Sequence, residues 1–249
     1  MSLYKFLGED QRYLSGREKF ADSIGKVSLW DTIDNWPLFV GISNLARSLS
    51  IAELLSETAD VPGHVAEFGC LHGTNLIFLA KLLRIRDPWC AKIVHGFDTF
   101  ESPISTDENE TERDDESEGR SPNKSIAENS QQLKTLRDVI SLYQMDTEID
   151  LHIGDISITL PALLEERREL SFSFVFCDVG RYKPTVTILH EIDERLSAGG
   201  LIILDQWNYE NHPGETVAVR EFLDATKSSY QPIHVKNTRQ PSCCLKKAS

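Results

Sequence analysis

The stretch VAEFGCLHGTNLIFLA, residues 65–80, decides the fold. An apolar run suited to a strand leads into an apolar run suited to a helix, and between them lie Glu67, Gly69, His72 and Gly73. A strand that turns through glycines into a helix is the opening unit of a parallel α/β sheet. If 64–68 is the central first strand, the turn lies beyond its carboxyl end where strand order reverses, the place at which open α/β sheets bind ligands. Gly69 and Gly73 then let the backbone pass close to a ligand, and the amides opening the helix at Thr74 and Asn75 offer donors to an anion or a carboxylate. Glu67 would repel a pyrophosphate but suits an ammonium or sulfonium charge, and G-x-x-x-G is not the dinucleotide fingerprint. Taken alone, the motif is as compatible with a tight turn and a solvated glutamate.

Working outward, strand-like and helix-like segments alternate. HVAEF (64–68), KIVHGF (92–97), IDLHI (149–153), FSFVFC (172–177) and LIILD (201–205) are short apolar or β-branched runs, as in parallel strands buried on both faces. Between them, Leu133, Leu136, Ile140 and Tyr143 in 126–144 recur at helical spacing. Val186, Leu189, Ile192 and Leu196 in 183–197 do the same, with Pro184 suited to a first turn. After a helix over 214–226, QPIHVK and PSCCLK are separated by NTRQ and close enough to pair as an antiparallel hairpin at one sheet edge. The expectation is an α/β fold: a doubly wound, mostly parallel seven-stranded sheet with an antiparallel C-terminal hairpin over 61–249. An N-terminal helical extension over 1–60, with Trp30 and Trp36 in its connections, would cap the core, cover a substrate or form a subunit interface.

Bulk properties narrow the function. A chain of 249 residues suits one core with decorations. It has no apolar run long enough for a membrane span, and its charged start is unlike a secretory signal, so a cytoplasmic protein is expected. Five cysteines without a C-x-x-C pair argue against a disulfide framework. A net charge of −13 argues against non-specific nucleic-acid binding, which needs basic patches. Residues 101–120 hold nine acids against two arginines, within a loop taken as 101–125. Such a segment cannot offset its own ordering entropy and is expected to be mobile, as a solvated insertion or as a lid.

Acids recur at strand ends. Asp98 follows the second strand, where a carboxylate can accept both hydroxyls of a ribose or cap its own turn, and Phe100 is placed to cover an adenine. Asp155 follows the third, as an acceptor for an adenine amino group or as a helix N-cap.

Here the chain resembles a family. VPGHVAEFGCLHGTNLIFLAKLL, IVHGFDTFES, HIGDISITLPALL, VFCDVGRYKPT, GGLIILDQWNY and GETVAVREFL are similar to the successive motifs of the macrocin O-methyltransferases. These are class I, Rossmann-like S-adenosylmethionine-dependent enzymes that methylate sugar hydroxyls, many of them metal-dependent. The likeness spans 61–225. It implies that Glu67, Phe68, Gly69, Gly73, Thr74 and Asn75 surround the methionine part of the cofactor, that Asp98, Thr99 and Phe100 follow its ribose, and that Gly154, Asp155 and Ile156 meet its adenine. Asp178 borders the same cofactor.

The resemblance also implies a magnesium or other divalent ion on Asp178, Asp205 and Gln206. Two departures bear on it: the family's D-x-D-x-Y appears as DVGRY, with Gly180 for the second acid, and its two adjacent acids appear as Asp205-Gln206. The candidate bases are Asp178, Asp205 and His212, while His72 and His95 read as structural neighbours of the cofactor turn. Arg181 suits a phosphate or carboxylate on the substrate. The implied activity is metal-assisted O-methylation of a sugar or glycosylated small molecule. A metal-independent O- or N-methyltransferase and a non-catalytic cofactor-binding homologue are the alternatives. Expected partners are a hydroxylated small-molecule acceptor and further copies of the chain, with no nucleic acid and no membrane.

Overall fold

The structure is a computed structural model and describes residues 29–100, 131–209, 213–226 and 229–248. Seven strands form one sheet: β1 His64–Phe68, β2 Val94–Asp98, β3 Ile149–Ile153, β4 Phe172–Cys177, β5 Leu196–Leu204, β6 Tyr230–His234 and β7 Cys243–Lys247. Their order is β3-β2-β1-β4-β5-β7-β6. Strands β1 to β5 are mutually parallel, β7 lies antiparallel to β5, and β6 pairs antiparallel with β7. The doubly wound sheet and its C-terminal hairpin are therefore as expected. The order reverses between β1 and β4, which puts the turn after β1 at the switch point.

Helices cover both faces. They are α1 Leu29–Asp34, α2 Ile42–Glu57, α3 Thr74–Arg86, α4 Gln131–Leu142, α5 Ile156–Glu166, α6 Tyr182–Asp193 and α7 Pro213–Thr226, with a 3₁₀ turn at Trp36–Leu38. On one face, Ile51 and Leu55 of α2, Leu76 and Leu79 of α3 and Leu133 and Leu136 of α4 pack with Val65, Phe174 and Phe176. On the other, Leu160 and Leu164 of α5, Ile188 and Ile192 of α6 and Val219 of α7 pack with Ala66, Phe172 and Val175. All six residues of β4 are buried, because a central parallel strand has no solvated face. Among the described residues, no helix is long and apolar enough to cross a membrane.

Two readings differ from the structure. The helix read over 183–197 ends at Asp193, and Leu196 opens β5 opposite Phe172. Its apolar spacing continues the helical stripe, but the Phe172 N–H donates to the Arg195 carbonyl and draws the chain into the sheet. Trp30 lies within α1 rather than in a connection. His95 stands beside Ala66 in the sheet, its ring against His64, His152 and Phe172 of β1, β3 and β4. The loop 101–125, the start of the N-terminal extension and the candidate base His212 lie outside the described residues.

Candidate active site

The turn after β1 is held by its neighbours. The Gly69 N–H donates to the Phe97 carbonyl (2.9 Å), and the Asp178 N–H donates to the Phe68 carbonyl (2.9 Å), carrying the ladders past both strand ends. Gly69 has φ +89°, and a Cβ there would lie 2.1 Å from the Asp178 carbonyl oxygen. The close approach that demands glycine is thus to the end of β4. Gly73, at the N-terminus of α3, is shielded by the Leu136 side chain.

Asp98 ties two strand ends together. One carboxylate oxygen accepts from the Leu71 N–H and the other from the Phe100 N–H, each at 2.7 Å. The Gly154 N–H donates to the Asp98 carbonyl, bringing the end of β3 alongside. Asp155 caps α5, accepting from the Ser157 N–H at 2.8 Å, and Ile156 behind it is buried. Phe100 is only 1% exposed, packed into the core beneath α3 and α4 rather than displayed to a ligand.

Glu67 and Asn75 are left half satisfied. One Glu67 oxygen accepts from the Asn75 amide nitrogen at 3.2 Å. Its other oxygen, and the Asn75 amide oxygen, are buried without a hydrogen-bond partner among the described residues. Burial pushes the Glu67 carboxyl well above its ordinary range and the Asp178 charge adds to this, while the Asn75 hydrogen bond opposes it. Orphaned buried acceptors are costly, so two side by side at a strand end call for donors beyond the described residues. S-adenosylmethionine, which carries an ammonium and a sulfonium, fits that need.

The ends of β4 and β5 hold the second cluster. Asp178 and Asp205 follow neighbouring strands paired as Cys177 to Leu204, and the Asp205 N–H donates to the Cys177 carbonyl at 3.0 Å. Arg47 of α2 bridges them, one guanidinium nitrogen donating to Asp205 in a short contact and the other to Asp178 at 3.4 Å. Its guanidinium carbon lies 5.3 Å from the centre of the Phe176 ring. The Asp205 side chain is 6% exposed and that of Asp178 27%. Burial, and then the charge of Asp205, push the Asp178 carboxyl up to about 7 against the pull of Arg47. Asp205 is raised by burial and held down by Arg47. Both carboxyls are thus raised by burial and restrained by the same guanidinium.

Gln206 and Gly180 complete the cluster. The Gln206 amide nitrogen donates to Asp178 at 3.3 Å, and its oxygen is buried without a partner among the described residues. Gly180 has φ +65°, and a Cβ there would fall 2.2 Å from that oxygen. Only glycine leaves room for the amide. From α7, Glu215 accepts from the Gln206 N–H and the Thr216 hydroxyl oxygen from the Asn208 N–H, both at 2.8 Å, which fixes the loop after β5.

Arg47, Glu215 and Thr216 were not singled out from the sequence. A signal for Arg47 was there: with Ile51, Leu54 and Leu55 it falls on the stripe that α2 turns inward, where an unpaired charge is not tolerated.

A seven-stranded sheet wound in this order, with orphaned acceptors after β1 and an acid tied across the ends of β1 and β2, defines an S-adenosylmethionine-dependent methyltransferase of class I. The sequence profile of the macrocin-O-methyltransferase (TylF) family matches residues 38–238. The chain belongs to that family. No curated protein matches it significantly in sequence. Among solved structures it is similar to CalS11, a calicheamicin methyltransferase, with a TM-score of 0.74 and 22% identity over 99% of this chain and 94% of that one. An apo structure of CalS11, there called a TDP-rhamnose 3'-O-methyltransferase, gives 0.71 and 21% over 99% and 96%. The O-methyltransferase NovP gives 0.61 and 19% over 82% and 80%. At these identities the likeness is one of fold.

Proposed function

We propose that the chain methylates a hydroxyl of a sugar or glycosylated small molecule, with Asp178 taking the hydroxyl proton. What carries the reading is the adjacency of the two clusters: the Asp178 backbone carbonyl closes on Gly69, and the Asp178 charge acts on Glu67. When bound, S-adenosylmethionine supplies an activated methyl group. The chain must then bind the cofactor, align the acceptor oxygen and accept its proton. Glu67 and Asn75 present unpaired acceptors to the methionine end, Asp98 faces the ribose with lone pairs beyond those used on Leu71 and Phe100, and Asp155 and Ile156 border the adenine. A base works best near the operating pH, and the position of Asp178 near 7 suits it. Membership of a family named for an O-methyltransferase, and the sugar methylation stated of CalS11, support the acceptor class.

The donors are a poor fit for a divalent ion. Magnesium and calcium take oxygen ligands, but Asp178 and Asp205 face the nitrogens of Arg47, and Gln206 offers Asp178 its nitrogen while its oxygen points at Gly180. No step of the proposal therefore passes through a metal.

The test is methyl transfer from labelled S-adenosylmethionine to a panel of sugar nucleotides and glycosylated metabolites, with wild type and Asp178→Asn. Product with wild type and its loss in Asp178→Asn, at unchanged cofactor affinity, is the expected result. Cofactor binding with no transfer to any hydroxyl would overturn it.

A further inference from the structure

We infer that Arg47 is the resident cation of the acceptor site: a guanidinium from the N-terminal helix stands where a divalent ion would sit, and excludes that ion. The inference rests on the methyltransferase reading only for calling the site an acceptor site. Its geometry stands independently.

Two carboxylates at the ends of adjacent parallel strands repel unless a proton or a cation lies between them. Here the cation is Arg47. The guanidinium spans the pair, a planar fork whose two nitrogens match two separate oxygens, which a compact ammonium could not do. The side chain is anchored at both ends. Its helix is pinned to the core by Ile51 and Leu55, each 2% exposed, and its head lies by the Phe176 ring. The contacts bridge 131 and 158 residues of sequence, so they are a product of the fold and not of a local turn.

The neutral member of the cluster is set for the same arrangement. The Gln206 nitrogen faces Asp178 and its oxygen faces Gly180. Turned over, the amide would put its oxygen against the Asp178 carboxylate, which is tolerable only with a proton or a cation between them. Gly180 leaves the space that lets the amide keep its nitrogen toward the acid. The Gln206 backbone is in turn held by Glu215. Three oxygen donors that could form a metal site are thus each engaged by, or turned away for, a nitrogen donor.

The consequence is that α2 is part of the active site. By holding Asp205 most closely, Arg47 leaves Asp178 as the freer carboxyl, so it acts as a positioning residue for the proposed base.

Manganese binding to the full chain, followed by electron paramagnetic resonance of free Mn²⁺ and by calorimetry, tests this without acceptor or turnover. Wild type should take up no Mn²⁺ at this site. Arg47→Ala should gain one site, binding at least about tenfold tighter than wild type, with a rise in melting temperature on adding Mn²⁺. The double variant Arg47→Ala/Asp205→Asn should lose that gain. Wild type binding Mn²⁺ as tightly as Arg47→Ala, with the binding lost in Asp205→Asn, would overturn the inference. So would a cooperatively folded Arg47→Ala that takes up no Mn²⁺. If Arg47→Ala does not fold, the wild-type titration decides alone: Asp205-dependent uptake refutes the inference, and its absence up to millimolar Mn²⁺ upholds it. Failure of the methyl-transfer reading would appear elsewhere, as binding of cofactor without product, and would leave the manganese result standing.

Discussion

Glu67 near the end of β1 and the carboxylates after β4 and β5 lie at the same end of the sheet, yet they are treated oppositely. Glu67 is buried with one oxygen unpaired among the described residues, and the Asn75 oxygen beside it is also unpaired. Asp178 and Asp205 are held by a guanidinium from another part of the chain. A buried acid with one oxygen left over marks a place prepared for something that arrives. A buried acid with its own cation marks a charge the fold keeps for itself. The two clusters should therefore respond to substitution with opposite signs in the free protein.

The strongest test of that contrast is Arg47→Leu. Removing the cation leaves two close carboxylates uncompensated, which should lower stability by about 2–4 kcal/mol, toward the low end for buried pairs because the arginine is partly exposed. Urea unfolding at neutral pH measures it. A loss below about 0.5 kcal/mol would mean that Arg47 merely rests on the surface of the acids.

Asp98→Ala should weaken S-adenosylmethionine binding by about 1.5–3 kcal/mol, the cost of hydrogen bonds to a charged group. Some of that loss arises because Leu71 and Phe100 lose the acceptor that positions the turn. Unchanged affinity in titration calorimetry would leave Asp98 with its structural role alone.

Glu67→Gln separates the two clusters most cleanly. It should reduce cofactor affinity by a comparable amount, about 1.5–3 kcal/mol, while leaving the free protein as stable as wild type or more so, since an unpaired buried acid is removed. Because burial raises the Glu67 carboxyl, capture of an ammonium should also release a proton in wild type, and the variant should not show that release. Calorimetry in buffers of different ionisation enthalpy reads it. A Glu67→Gln protein much less stable than wild type would show that the acid is already satisfied and would remove the contrast.

The cluster around His95 supplies a control. His95 is fully buried, with its Nδ1 3.0 Å from His152 Nε2 and the Asp150 carboxylate 3.7 Å away. Burial lowers it from 6.5 to about 3, with the neighbouring His152 and His64 adding to the effect. Between those values the unfolded chain binds a proton that the folded chain does not. The contribution is present above pH 6.5 and lost as pH falls toward 3, by about 2 kcal/mol at pH 5. His95→Phe should flatten this part of the stability profile while leaving cofactor affinity at neutral pH unaltered. An unchanged slope between pH 6.5 and 5 would assign the acid sensitivity to His64 or His152, which burial also lowers.

The sheet was legible because its information is local. Apolar runs such as FSFVFC, glycines at strand ends and acids just beyond them are properties of five to ten consecutive residues, and they name strands, turns and a switch point before any packing is known. The same locality explains the error at Leu196, where a helical spacing ran on into a strand whose start was set by Phe172 and Arg195. Three features of the site depended on elements that meet only in the folded chain. Phe100 lies in the core rather than over the ligand space, Gln206 turns its nitrogen to Asp178 because Gly180 leaves room for its oxygen, and Arg47 reaches Asp205 across 158 residues. The sequence by itself determined which residues are charged and where strands end. Which charge neutralises which was decided by tertiary structure alone, because electrostatic pairing acts through space and falls off within a few ångströms, without regard to order along the chain.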